Sequence, residues 1–327
     1  MYRTFARCLS SLAFASTLAG AAVSAHAAFP EKPITFIVPS AAGGSPDVLS
    51  RLIITQIAKD TGATLVIENR PGAAGNIGVS LIKRADADGY TIGYGNINTL
   101  AVNRSLFKKL PYDVDKDLVP VGQMFNIYNV LIVPTDSPIK SVQDLIDRAK
   151  AKPGQLSYGA SGVGTTGHMG GELFKSMANV DIMFVPYNGG PAAMQDLMGG
   201  RLDFTFANTS EAVPLIQSGK VRALGVSSLK RLALLPDVPT LDESGLKGYE
   251  TIAWGGAVAP AGTPTEVIKK LNADLNQALG NPDVQKSLAA LGADPAPGSP
   301  EDFKKLMDAE TAKWGALIQK AGIEKLD

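Results

Sequence analysis

The sequence predicts an α/β fold in which two βαβ lobes are joined by two crossover strands. Three observations predict it. A short apolar strand runs into a glycine-rich loop that opens a helix, and this happens twice. The two copies lie about 120 residues apart, which marks a two-fold repeat rather than a solenoid. Two further apolar stretches lie where the chain would pass from one lobe to the other and back.

The chain begins with a leader. Arg3 and Arg7 are basic, Leu9 to Ala22 is mostly apolar, and Ala25-His26-Ala27 has a small-x-small pattern. This is the grammar of a secretory signal peptide over residues 1–27, cut near Ala27, before Ala28. The apolar run is shorter than the roughly 20 residues a spanning helix needs. Export to the periplasm is the expected address.

In the first lobe, Ile34 to Val38 reads as a buried strand. The loop Pro39-Ser-Ala-Ala-Gly-Gly-Ser45 follows. Val48, Leu49, Leu52, Ile53 and Ile57 then recur at helical spacing, with Ser45 as N-cap and Pro46 at the first helical position. Leu65 to Ile67 is a strand, Asn76 to Arg84 a helix, and Tyr90 to Tyr94 a third strand. In the second lobe, Leu156 to Tyr158 is a strand and Gly159 to Thr166 a glycine-rich loop. His168 to Ala178 is a helix, Ile182 to Val185 a strand, Pro191 to Met198 a helix, and Leu202 to Phe206 a strand. Each unit is βαβαβ, the pattern of a parallel sheet covered by helices.

Val119 to Val133 and Tyr249 to Val258 are the expected crossovers. Helical patterns over Thr265 to Leu279, Asp283 to Leu291 and Glu301 to Ile318 form a tail expected to pack on the first lobe. Pro264, Pro282 and Pro300 stand where helix starts tolerate proline. Lobe 1 is thus read as 28–125 plus 250–327, and lobe 2 as 126–249.

Composition removes several function classes. The single cysteine, Cys8, lies in the leader, so the mature chain carries neither a disulfide nor a cysteine metal site. His26 leaves with the leader too, and His168 alone cannot build a multi-histidine metal centre. Without Arg3 and Arg7 the mature chain has 29 basic and 31 acidic residues, a net charge of −2. Nothing in that balance points to nucleic acid. No metal and no cofactor are expected.

Both glycine loops follow the first strand of their unit and open a helix. In an open parallel sheet, ligands lie beyond the carboxyl ends of the strands. A helix N-terminus offers unpaired N–H groups and partial positive charge, which attracts carboxylates. Two such loops facing each other would hold a small organic acid in a cleft. Ser40, Ala41, Gly43 and Gly44 form the first half-site. Ser161, Gly162, Gly164, Thr165 and Thr166 form the second. Neither loop has the Gly-Lys-Ser/Thr of a nucleotide P-loop.

Asp47 has two readings, a helix-dipole or capping role with Arg51, and contact with a ligand amine or hydroxyl. Asn96 and Asn98 end the third strand, and Asn208 the corresponding strand of lobe 2. They either rim the cleft or make turns. Arg70 either supplies charge to an anion or pairs with Glu68, and Tyr187 and Asn188 are weaker strand-end candidates. Trp254 either walls the cleft or packs in the core. His168 sits near Ser161 and Thr165, but no Gly-x-Ser-x-Gly elbow occurs. No catalytic residue is assigned.

Several motifs together resemble one family. They are Pro30-Glu-Lys-Pro-Ile-Thr35, Pro39-Ser-Ala-Ala-Gly-Gly-Ser-Pro-Asp47, Glu68-Asn-Arg-Pro-Gly-Ala-Ala-Gly-Asn-Ile-Gly78 and Ala87-Asp-Gly-Tyr90. The series continues with Ser161-Gly-Val-Gly-Thr165, Val185-Pro-Tyr-Asn-Gly-Gly190, Ser218-Gly-Lys-Val-Arg-Ala-Leu224, Leu235-Pro-Asp-Val-Pro-Thr240 and Ala259-Pro-Ala-Gly-Thr-Pro264. In this order they resemble the Bordetella uptake family, the extracytoplasmic receptors of tripartite tricarboxylate transporters. The resemblance implies a type II periplasmic binding protein fold that closes around a carboxylate. It also implies integral-membrane transporter subunits as partners. The chain departs from the family pattern at Ser40, Ala42, Asn188 and Gly95-Asn96, all on loops near the expected ligand. A monomeric solute receptor is therefore the leading expectation. A ligand-sensing subunit of a membrane signalling kinase and a secreted hydrolase using His168 are the alternatives.

Overall fold

The computed structural model describes residues 29–327. The leader and cut site read over residues 1–27 lie outside the described residues.

The first unit comprises β1 (Ile34–Val38), α1 (Ser45–Thr61), β2 (Leu65–Asn69), a 3-10 turn (Ala73–Gly75), α2 (Asn76–Lys83) and β3 (Thr91–Asn96). A π-helical segment (Asn98–Val102), α3 (Asn103–Leu106) and α4 (Val114–Asp117) lead to β4 (Leu118–Pro134). The second unit comprises α5 (Val142–Ala151), β5 (Ser157–Ala160), α6 (Thr166–Ala178), β6 (Met183–Pro186), α7 (Gly190–Met198), β7 (Phe204–Asn208), α8 (Thr209–Gln217) and β8 (Val221–Val226). Then come β9 (Ile252–Pro260), α9 (Thr265–Gly280), α10 (Pro282–Ala290), β10 (Ala293–Pro295) and α11 (Pro300–Lys320).

The repeat is visible in the strand order. The first strand of each unit lies in the middle. β1 stands between β2 and β3, and β5 between β6 and β7, all pairs parallel. The strand order reverses at β1 and at β5, so each loop that follows them opens at a switch point, where ligands bind in such sheets.

Two antiparallel strands join the lobes. Residues 118–128 of β4 pair with β9, and residues 129–134 of the same strand pair with β7 and β8. The chain passes into the second lobe at Tyr128/Asn129. It returns just before Ile252, which lies opposite Tyr128. These points fall two or three residues beyond the boundaries expected from sequence. Ser227 ties both crossings. Its Oγ accepts from the Asn129 N–H at 2.9 Å and donates to the Thr251 carbonyl at 2.7 Å.

The tail helices pack on the first unit. α9 and α10 lie against α1, and α11 lies against the π segment, α3 and β4. Pro282 and Pro300 sit in the first turns of their helices, while Pro264 is an N-cap residue. α11 starts with a Ser299/Asp302 capping box, worth about 1 kcal/mol. Trp254, Phe303 and Trp314 anchor this core, each less than 2 % exposed. The Trp254 and Trp314 indole N–H groups both donate to Glu310, at 3.2 and 2.7 Å. Trp254 meets Phe303 edge-on. It is a core residue, with its polar atom satisfied, rather than a cleft wall.

Lobe 2 buries both faces of its sheet. Leu131, Tyr158, Phe174, Phe204 and Phe206 fill one side. Val130, Ile132, Met194, Leu197 and Val226 fill the other. Val163 and Met169 of this lobe instead pack against the first lobe's core. The lobes therefore share an apolar contact beside the cleft.

Candidate ligand cleft

The first loop is held from below by Asp47. Its Oδ2 accepts from the Gly43 N–H at 2.8 Å. Its Oδ1 accepts from Asn69 Nδ2 at 2.9 Å and pairs with Arg51 Nε at 2.8 Å. Asn69 also donates to the Ser40 carbonyl. Burial pushes the Asp47 carboxyl up, but the bonds from Arg51, Gly43 and Asn69 outweigh it and hold it below the usual value. Both oxygens thus hold the loop in place, and Asp47 is 3 % exposed. Gly43 takes φ +79°, which favours glycine. Ala41 is exposed, and the buried Ser40 Oγ has no partner among the described residues.

Ser45 departs from its expected role. Gly44 is the N-cap and Ser45 the first helical residue, and no side chain of the loop caps α1. The Ser45 hydroxyl turns to the other lobe instead. It lies 2.6 Å from Ser210 Oγ and accepts from Asn208 Nδ2 at 3.3 Å. Asn208 Oδ1 accepts from Asn129 Nδ2 at 3.0 Å. Asn129 is 1 % exposed, and its own Oδ1 has no partner among the described residues.

The second loop is fixed by its own side chains. Thr165 caps α6, accepting from the His168 N–H and donating to the Gly162 carbonyl. His168 Nδ1 accepts from the Gly164 N–H at 3.1 Å, and its ring lies against Phe184 at 4.0 Å between centroids. Burial pushes the imidazole down to about 4. A neutral histidine already accepting a backbone bond is a loop support, not a free base. Gly164, at φ +78°, faces Leu106 and Asn103 of the first lobe. The Gly189 N–H donates to the Ser161 carbonyl at 3.1 Å, which joins this loop to the start of α7.

Ser45, Gly190, Asn208, Ser210 and Glu211 thus come together where the lobes meet. Asn96 serves its own turn, exchanging bonds with Thr99. Tyr187 donates to Asp196, and Arg70 pairs with Glu68 at the surface. Ser45 as a cross-cleft group, Asn129, Ser210 and Glu211 were not read from sequence. Ser210 and Glu211 lie two and three residues beyond Asn208, at the start of the helix that its strand runs into, so the strand-end signal pointed to this turn but not to these side chains. Asn129 carried no signal, because a polar residue in an apolar crossover looks like any exposed strand position.

Two lobes, two crossovers and a polar cleft at paired switch points define the type II periplasmic binding protein fold. The chain belongs to the tripartite tricarboxylate transporter family receptor group, whose family model matches residues 49–323. It is 39% identical over 313 residues to a Pseudomonas sp. (strain P51) protein named for the tcbD-tcbE intergenic region, covering 95% of this chain and 93% of that one. A solved structure of R. palustris Rpa4515 with adipate is 39% identical, with a TM-score of 0.88, covering 91% of this chain and all of that one. The structure of the periplasmic binding protein BugD is 34% identical, with a TM-score of 0.85, over 91% of this chain and all of that one.

Proposed function

We propose that this chain is an exported, monomeric solute receptor that captures a small carboxylate and delivers it to integral-membrane subunits of a tripartite transporter. The observation that carries this reading is that two glycine loops each open a helix at the switch point of their own sheet. One opens α1 after β1, and the other opens α6 after β5. The adipate held by the Rpa4515 relative supports a carboxylate guest. Ser40, Ala41, Gly43 and Gly44 would supply one half-site, and Ser161, Gly162, Gly164, Thr165 and Thr166 the other, with Asn208 at the rim. Asp47 and Asn96 contribute by holding their loops. The guest is drawn from the small organic acids, a class that includes di- and tricarboxylates and related acids. The protein acts by binding and release, without a chemical step. Its lobes are residues 28–125 with 250–327, and 126–249, give or take the few residues at each crossing.

Calorimetric titration of the mature chain with mono-, di- and tricarboxylates tests this. Saturable binding of at least one acid is expected, and silence across the panel would remove the reading.

A further inference from the structure

Helix α1 has few first-turn donors to offer a ligand. Pro46 has no N–H, so only Ser45 and Asp47 remain at the tip. Glu211 reaches that tip from the opposite lobe. It stands in the first turn of α8, next to Ser210, whose hydroxyl lies 2.6 Å from Ser45 Oγ, and Ser45 acts on its carboxyl. On its other side the carboxylate lies against Gly190, the first residue of α7, where even a methyl group would collide with it. A carboxylate of the protein itself therefore sits between helix N-termini of opposite lobes. The α6 tip is different. Thr165 caps it from within, and its first turn carries no acidic residue.

Resting on the carboxylate-receptor reading above, we infer that Glu211 selects the ligand by filling the anion seat at α1. The cleft then takes organic acids with one carboxylate, held at α6, and a hydroxyl or ammonium at the far end that donates to Glu211. A dicarboxylate would set its second carboxylate beside Glu211 and compete with it for Ser45. Like charges so placed repel, so Glu211 rejects as well as attracts. Asp47, the sequence's candidate for such a donor, is already held by Gly43, Asn69 and Arg51.

Burial pushes the Glu211 carboxyl up to about 7, and the bonds from Ser45 draw it part of the way back. At pH 8 it is charged, and the test belongs there. The mature chain is titrated with length-matched pairs from three to eight carbons, such as adipate against 6-aminohexanoate and 6-hydroxyhexanoate. The unsubstituted protein should bind the donor-bearing monoacids more tightly. Glu211→Gln should raise the affinity for the diacid and lower that for its ammonium partner, changing their ratio by about tenfold or more. Gly190→Ala keeps the charge but displaces the carboxylate, and should move the ratio the same way. An unaltered ratio in both variants, or an initial preference for diacids, overturns the inference while leaving the receptor reading in place. If neither type of acid binds at any length, the receptor reading itself fails.

Discussion

The hydroxyl oxygens of Ser45 and Ser210 lie 2.6 Å apart, and they belong to different lobes. With the Asn208 bond to Ser45 and the Thr209 bond to the Gly292 carbonyl, this contact ties α8 to the first lobe. Each such bond contributes about 1 kcal/mol net, which shifts an open–closed equilibrium about fivefold. The Ser45→Ala, Ser210→Ala double variant should therefore be more extended without ligand in solution scattering. It should contract further on saturation than the unsubstituted chain. Identical profiles for both proteins would show that the contact does not govern closure.

Asp47 is expected to act on binding through the loop rather than through the ligand. Asp47→Ala removes the acceptor of the Gly43 N–H and one of the two acceptors of Asn69, and leaves Arg51 only the Asn69 Oδ1. The expected cost is about 2–3 kcal/mol of unfolding free energy, read by urea titration. Asp47→Asn, which keeps an acceptor, should recover about half of that. Affinity for all acids should fall together, without a change in their order. A selective loss for ligands with an amine or hydroxyl would return Asp47 to direct contact.

Ser227 is the residue most exposed to a hinge test. It is fully buried and bonds to the chain at both crossings, Asn129 on one side and Thr251 on the other. Ser227→Ala orphans the buried Asn129 N–H and should cost about 1–3 kcal/mol. Amide exchange should quicken at Asn129 and Thr251 before it quickens in the lobe cores. Uniform quickening across the chain would mean that the crossings have no independent mobility.

The lobes were legible in the sequence because each is local grammar, a strand, a glycine loop and a helix within some thirty residues. Ile34 to Val38 and Thr265 onward could be placed from apolar spacing alone. α5 and β8 were not, because they follow no glycine loop, although Ser141 caps α5 with a bond from the Asp144 N–H. The half-sites were legible as loops but not as a meeting. Ser45 and Glu211 are 166 positions apart, and a serine at a helix start or a glutamate in a first turn already has a sufficient local explanation. Only the packing of one lobe on the other gives them to each other. His168 shows the same limit in reverse. Its neighbours suggested a site, while Phe184 and the Gly164 N–H make it structural.

Glu211 and His168 should also leave opposite marks on stability. Glu211 is held at about 7 by burial, against 4.5 for the free group. The folded chain binds this proton more tightly, so the contribution is full below pH 4.5 and is lost as pH rises through 7. His168 is held at about 4 by burial, against 6.5, with Glu172 pulling it up and Lys175 pushing it down. Its contribution is full above pH 6.5 and is lost as pH falls through 4. Each amounts to about 3 kcal/mol over its whole window. Between pH 4.5 and 6.5 the two slopes oppose, and the unfolding free energy of the unsubstituted chain should be nearly flat. Glu211→Gln leaves only the histidine, so stability should climb with pH across that interval. His168→Asn leaves only the glutamate, so stability should decline. Urea titrations at pH 4.5, 5.5 and 6.5 measure all three slopes, and parallel lines for the three proteins would mean that neither group titrates as its burial dictates.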